Sequence, residues 1–198
     1  MQNNQTIIFL GPPGAGKGTQ AERLAREKGL IKISTGDMMR AEAASGSELG
    51  ALVAPLLAAG SLVSDEILLP IVRATLSSMN PLRVVLDGFP RNPNQAEVLD
   101  ETLESLRTGV DKVILLEVPE AVVISRIVTR GASSGRSDDT EDTAKARQQV
   151  YLAETQPLVD FYDSQGKLAR VNGLGSMNEV YERILEVVAT LEPPKSAS

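Results

Sequence analysis

The chain has 198 residues, no cysteine and no histidine. Disulfides, thiolate metal sites, cysteine nucleophiles and the usual neutral-pH acid–base side chain are therefore excluded together. A net charge of -6 argues against a basic nucleic-acid footprint, and no apolar run approaches the roughly 18 residues of a membrane span.

At this length one hydrophobic core is expected. With aromatics at 3%, that core must be built from Leu, Val, Ile and Ala. The start, MQNNQTIIFLG, has neither the basic residues nor the apolar stretch of a signal peptide, so we expect a soluble intracellular protein.

Residues 6–10, TIIFL, form a short apolar run that stops at Gly11 and read as a buried strand. The segment GTQAERLAREKG, 18–29, reads as a helix closed by Gly29. Between them, GPPGAGKGTQ (11–20) comes close to the phosphate-loop pattern G-x-x-x-x-G-K-[ST]. Gly11, Gly16 and Lys17 are in register, but Gly18 follows the lysine and the hydroxyl arrives one place late, at Thr19. A strand before and a helix after is the context that pattern requires. Backbone N–H groups of Gly14, Ala15, Gly16, Lys17, Gly18 and Thr19 can curl around an anion, and the helix N-terminus and the Lys17 ammonium add positive charge. A merely structural glycine turn leaves this coincidence unexplained. The late hydroxyl reads as a subfamily variation, since Thr19 can still reach a metal-bound water.

LIKIST (30–35) is a weaker strand, and 34–64 holds two helical patterns with no strand between them. Within STGDMMR (34–40), Ser34 or Thr35 suits a helix N-cap, which gives no reason for Arg40; the residues alone leave the two readings level. Helical patterns at 65–78, 92–107, 119–130, 140–162 and 177–191 separate apolar strands at 83–88, 112–118 and 167–173. Pro119 suits a first helical turn, whereas Pro70 and Pro157 fall inside helical patterns and predict kinks or breaks. This alternation predicts an α/β fold, a parallel sheet with helices on both faces. Residues 131–139, GASSGRSDD, read as a flexible insertion at the mouth of the sheet, and the tail EPPKSAS as disordered.

LDGFPRN (86–92) follows a buried strand and puts Asp87 at its carboxyl end, where ligands bind in open α/β sheets. Such an aspartate can orient magnesium and its waters. Gly88, Phe89 and Pro90 make a rigid turn that holds Arg91 beside the mouth. Arg126 and Arg130, four apart, share a helix face; Arg136 lies in the flexible insertion and Arg147 on the helix after it. Arginine supplies 13 of the 20 basic residues, a bias that suits bidentate grip on phosphate. Any one of these arginines reads better as a surface charge, but the set flanking a flexible loop does not.

In order, GPPGAGKGTQA, STGDMMR, SGSELG, LVSDE, LDGFPR followed by Gln95, SRIVTR, GRSDD and RVNG resemble the adenylate kinase family in its short-lid form. The resemblance covers nearly the whole chain. It implies a core domain at 1–33, 64–129 and 140–198, a small helical monophosphate-binding domain at 34–63, and a short lid at 130–139. It implies reversible transfer of the terminal phosphoryl group from MgATP to AMP, giving two ADP. By the same resemblance Gly14 to Thr19 and Arg130 hold ATP, and Gly175 touches its base through the backbone. Thr35, Arg40, Gly88, Phe89, Pro90, Arg91 and Gln95 hold AMP, with Ser61, Leu62 and Val63 lining its base. Arg136 and Arg147 clamp the phosphates, and Lys17, Arg91, Arg126 and Arg130 complete the catalytic cations. Magnesium is expected on phosphates and waters near Thr19 and Asp87 with no direct protein ligand, and zinc is not expected, because the lid is short and lacks cysteine. Ser61 departs from the lysine common in the family, where backbone contact is expected.

Two other readings fit less well. Relatives acting on UMP or CMP tend to carry alanine at the position of Thr35, and Gln95 can pair with an adenine edge. A GTPase-type switch uses N-K-x-D, which does not occur here. The expected partners are ATP, AMP and ADP, with no nucleic acid and no membrane, for a cytoplasmic monomer.

Overall fold

The computed structural model describes residues 3–134 and 140–191, and only the backbone of 132–134. Five strands, β1 (Gln5–Leu10), β2 (Ile31–Ser34), β3 (Arg83–Asp87), β4 (Lys112–Glu117) and β5 (Leu168–Asn172), pair in parallel in the order β2-β3-β1-β4-β5. The central strands are apolar on both sides because both sides are covered. Ile7, Phe9, Val85, Ile114 and Leu116 face one layer; Ile8, Leu10, Val84, Leu86 and Val113 face the other. Helices α1 (Lys17–Lys28) and α9 (Met177–Ala189) bury Ala21, Leu24, Tyr181 and Ile184 on the first face. The second face takes Leu68 and Val72 from α4 (Asp65–Ser77), Leu99 and Leu103 from α5 (Pro93–Ser105), and Leu158 and Tyr162 from α8 (Pro157–Ser164). The α/β architecture read from the sequence is the one found.

Between β2 and α4 stand α2 (Thr35–Ala44) and α3 (Glu48–Ala59), the two strandless helices anticipated at 34–64. After β4 come α6 (Glu120–Ser134) and α7 (Glu141–Val150).

Three local expectations change. Residues 131–134 of the expected insertion are helical, because α6 runs on through Ser134; small residues do not end a helix already propagating through EAVVISRIVTR. Residues 135–139, with Arg136, lie outside the described residues, as does the tail 192–198. The single helix expected at 140–162 is α7, a π-helical turn at Tyr151–Thr155, and α8, with Pro157 at the first position of α8. The break at Pro157 is thus present. Pro70 does not break α4: Pro70 and Glu66 are both exposed, so water can serve the carbonyl that loses its partner.

Because all strands are parallel, Leu10, Ser34, Asp87, Glu117 and Asn172 end at one edge of the sheet. The connection leaving β1 runs toward β2 and that leaving its neighbour β4 runs toward β5, so a crevice opens beyond the carboxyl end of β1.

Candidate functional site

The loop after β1 closes on Gly16, which caps α1 at φ 97, a left-handed conformation that side chains resist. Lys17 then opens the helix, and its Nζ donates to the carbonyls of Gly11 at 2.7 Å and Pro12 at 2.9 Å. Burial lowers the Lys17 pKa to about 8; Asp87 opposes that shift, while Arg91 and Arg130 add to it.

The late hydroxyl has a steric reason. A Cβ at Gly18 would stand 3.1 Å from Asp87 Oδ2 and 3.9 Å from Lys32 Nζ. Serine or threonine directly after Lys17 would crowd the carboxylate at the end of β3. Glycine leaves Asp87 its room, and Thr19, exposed on the cavity wall, carries the hydroxyl.

At the other end of the crevice, the two readings of STGDMMR fall to different residues. Ser34 is the cap, its Oγ accepting from the Asp37 N–H at 3.3 Å. The Thr35 hydroxyl donates to the Gly88 carbonyl at 2.7 Å, tying α2 to the turn after β3. Gly88 has φ 76, and a Cβ there would lie 2.9 Å from Arg91 Nη2. Arg91 Nε donates to the Gly88 carbonyl at 2.7 Å, and the Thr155 hydroxyl holds the Arg91 carbonyl at 2.8 Å. Arg40 pairs with Asp37. A Cβ at Gly36 would be 3.2 Å from Arg40 Nη2 and 3.4 Å from Arg91 Nη2, so both guanidinium groups converge on one spot. Burial lowers the Arg91 pKa, Asp87 opposes it, and the charges of Arg147 and Arg40 lower it further. For Asp37, burial works against the charge, but hydrogen bonds from Arg40 and Ser34 outweigh it and hold the carboxyl below its usual range.

One cavity of about 720 Å³ joins the two ends. Lys17, Thr19, Arg40, Arg91, Arg130 and Arg147 line it, together with Gly14, Gly16, Gly18, Asp87, Gly88 and Pro90 and, from the turn after α3, Ser61 and Leu62. Five expected site residues lie buried behind the wall: Ala15, Thr35, Val63, Phe89 and Gln95. The Gln95 amide, 1% exposed, accepts from the Arg91 N–H at 2.8 Å and donates to Asp65 Oδ1 at 2.6 Å. Arg126 and Gly175 are off the wall too. Arg126 donates to the carbonyls of Ala15 at 3.4 Å and Gly173 at 3.2 Å, so it fastens the glycine loop to the turn after β5. Arg136 lies outside the described residues.

Sequence reasoning missed several wall residues: Lys32, Asp37, Thr155, Met177 and Asn178. Lys32 offered one faint signal, a charge inside an otherwise apolar strand; Thr155 offered none. No group of three or more Asp, Glu, His or Cys side chains that could hold a metal occurs among the described residues. Asp87, the wall carboxylate beside Gly18, suits a cation that keeps its waters and takes most of its ligands from phosphate, as magnesium does.

A family model described as adenylate kinase matches residues 9–167. The chain is 57% identical over 189 residues to an adenylate kinase of Deinococcus deserti, covering 92% of this chain and 96% of that one. It is 54% identical over 188 residues to one of Deinococcus radiodurans, covering 92% and 95%. An adenylate kinase of Thermus thermophilus is 49% identical over 184 residues, covering 93% and 97%.

Proposed function

The chain belongs to the adenylate kinase family, and from that premise we infer that its cavity is a two-nucleotide site for reversible transfer between MgATP and AMP, giving two ADP. The observation that carries this reading is the single cavity with the glycine loop and Lys17 at one end and Arg40 and Arg91 at the other. ATP phosphates fit the loop from Gly14 to Thr19, and the AMP phosphate fits the spot where Arg40 and Arg91 converge. Arg130 and Arg147 stand on the wall with them, and Arg136 belongs to the same reading from sequence alone. The helices of 34–63 form the monophosphate-binding part, 130–139 the lid, and the remainder the core. No helix among the described residues is long and apolar enough to cross a membrane.

The chemistry needs no histidine. With a second pKa of roughly 6, the AMP phosphate is mostly dianionic at neutral pH and attacks without a general base. The protein must align two anions that repel each other and offset the charge on the transferring phosphoryl group. Lys17 leaves the Gly11 and Pro12 carbonyls to meet that charge. Arg91, fixed by Gly88 and Thr155, presents a preset guanidinium to the acceptor. Arg126 acts through the loop, holding Ala15 and Gly173 in register. Magnesium, when bound, draws charge from the ATP phosphates, with Asp87 orienting its waters. Lid closure excludes water that would otherwise compete as acceptor.

The test is a compound with two adenosines joined by five phosphates. It fills both sites at one entropic cost. A ligand specific to the folded state stabilises by RT ln(1 + [L]/Kd), about 4 kcal/mol at a thousandfold excess. It should raise the melting temperature more than ATP plus AMP at equal concentrations. A shift no larger than that from ATP alone would remove the two-site reading.

A further inference from the structure

Lys32 has no place in the phosphate motifs, yet it stands where three elements of the site meet. It projects from β2 onto the cavity wall with its side chain 17% exposed. Its Nζ is 3.4 Å from Glu22 Oε2 on α1 and 3.7 Å from Asp37 Oδ2 on α2. It also lies 3.9 Å from where a Cβ on Gly18 would be. The other oxygen of Asp37 is held by Arg40, one turn further along α2. One carboxylate therefore sits between two cations, tightly on Arg40 and loosely on Lys32.

We propose that Lys32 is a positioning residue of the monophosphate site, taking over the Asp37 carboxylate when the incoming phosphate claims Arg40. The proposal rests on the reading of Arg40 as a phosphate ligand. Asp37 occupies part of the guanidinium face that a phosphate needs. A dianion arriving there must displace the carboxylate from Arg40, and a carboxylate that has lost that cation beside a dianion is repelled. Lys32 removes that conflict, because its ammonium already faces the second carboxylate oxygen and has about 1 Å in which to shorten to an ordinary charged hydrogen bond. Glu22 keeps Lys32 on this side of β2 while Asp37 is still with Arg40. The first turn of α2 adds its own partial positive charge, so Asp37 can shift without leaving its helix. The pair is an exchange of partners at the root of the 34–63 helices, with Arg40 passing from protein to substrate.

Steady-state kinetics on Lys32→Met, Lys32→Arg, Asp37→Asn and the Lys32→Met/Asp37→Asn double variant test this. Lys32→Met should raise KM for AMP about five- to tenfold, as expected for about 1 kcal/mol, and leave KM for ATP and the melting temperature near their starting values. Lys32→Arg, which keeps the charge, should restore KM for AMP. In the Asp37→Asn background Lys32→Met should have no effect, because no carboxylate remains to be transferred. An equal rise in both backgrounds would mean that Lys32 meets the phosphate directly and would overturn the exchange. So would an unchanged KM in Lys32→Met, or equal rises for AMP and ATP. Arg40→Gln separates the two levels of the argument: if it leaves KM for AMP unchanged, the phosphate assignment itself fails, whatever Lys32 does.

Discussion

Lys17 should bind a proton when ATP arrives at alkaline pH. Burial lowers its pKa to about 8, and its hydrogen bonds go to two neutral carbonyls. Placed against phosphate, the ammonium gains a charged partner and its pKa returns to the ordinary lysine range. At pH 9 the empty site is about one-tenth protonated and the ATP complex almost wholly so, giving uptake of about 0.9 proton per ATP. At pH 7 the uptake falls to about 0.1. Calorimetry of ATP binding in two buffers of different ionisation enthalpy measures this number, with EDTA present so that no turnover occurs. ATP affinity should fall about tenfold per pH unit once pH exceeds 8. The same shift acts on stability. The folded pKa is below the unfolded one, so the charged lysine destabilises the empty fold in full below pH 8. That penalty is relieved as pH rises from 8 toward 10.5, and it is worth about 3 kcal/mol. Lys17→Met should abolish the proton uptake and the pH dependence together. Uptake below about 0.2 proton at pH 9 would refute the argument that burial dominates the Lys17 environment.

Gly18→Ala adds a methyl 3.1 Å from Asp87 Oδ2 and should push that carboxylate aside by a few tenths of an ångström. We expect an intact fold, kcat lower by about three- to tenfold, and a higher magnesium concentration at half-maximal rate; a wild-type magnesium curve would refute the crowding argument. Gln95→Leu strands the Arg91 N–H and takes one donor from the Asp65 carboxylate, which keeps Asn94; it should lower stability by about 1–3 kcal/mol, while raising KM for AMP and weakening its preference over GMP. Lost stability with an unchanged preference would make Gln95 structural only.

The strands were legible because their signals are local. TIIFL, RVVLD and KVILLE are short apolar runs, and the glycine loop has its strand, lysine and helix together in 5–28. Pairings across the chain were not. Gly18 and Asp87 are distant in sequence and meet because β1 pairs with β3, with Phe9 opposite Asp87. Only that register explains why the residue after Lys17 is glycine. Arg126 read as one of a group of phosphate arginines, yet in the fold it holds two carbonyls, a partnership that spacing on one helix face cannot reveal. Gln95 was expected to hold AMP through the family resemblance, but its burial and its bond to Asp65 on another helix leave no trace in the local sequence. The π-helical turn at Tyr151–Thr155 left no mark in composition or periodicity, although it supplies the hydroxyl that holds Arg91. Residues 131–134 were read out of the helix because small residues weaken a helix without stopping it.

Three cations of this site have partners within the protein. Lys17 rests on two carbonyls, Arg91 on the Gly88 carbonyl, and Arg40 on the Asp37 carboxylate. A phosphate that binds therefore replaces an internal acceptor, and the net gain per contact is smaller than the contact itself. That suits an enzyme of reversible transfer, since two ADP must leave as readily as ATP and AMP enter. The acceptors differ in a way that divides the labour. Neutral carbonyls compete weakly with phosphate charge, and the advantage over them grows as charge accumulates. Lys17 can thus give more to the transition state than to bound ATP, and only such an excess accelerates the chemistry. Asp37 competes with a full charge, so much of what Arg40 offers AMP is offset on entry. On the proposed assignment of the site, Arg40 and its carboxylate would set how firmly AMP is held, whereas Lys17 and its carbonyls would set how fast the phosphoryl group moves.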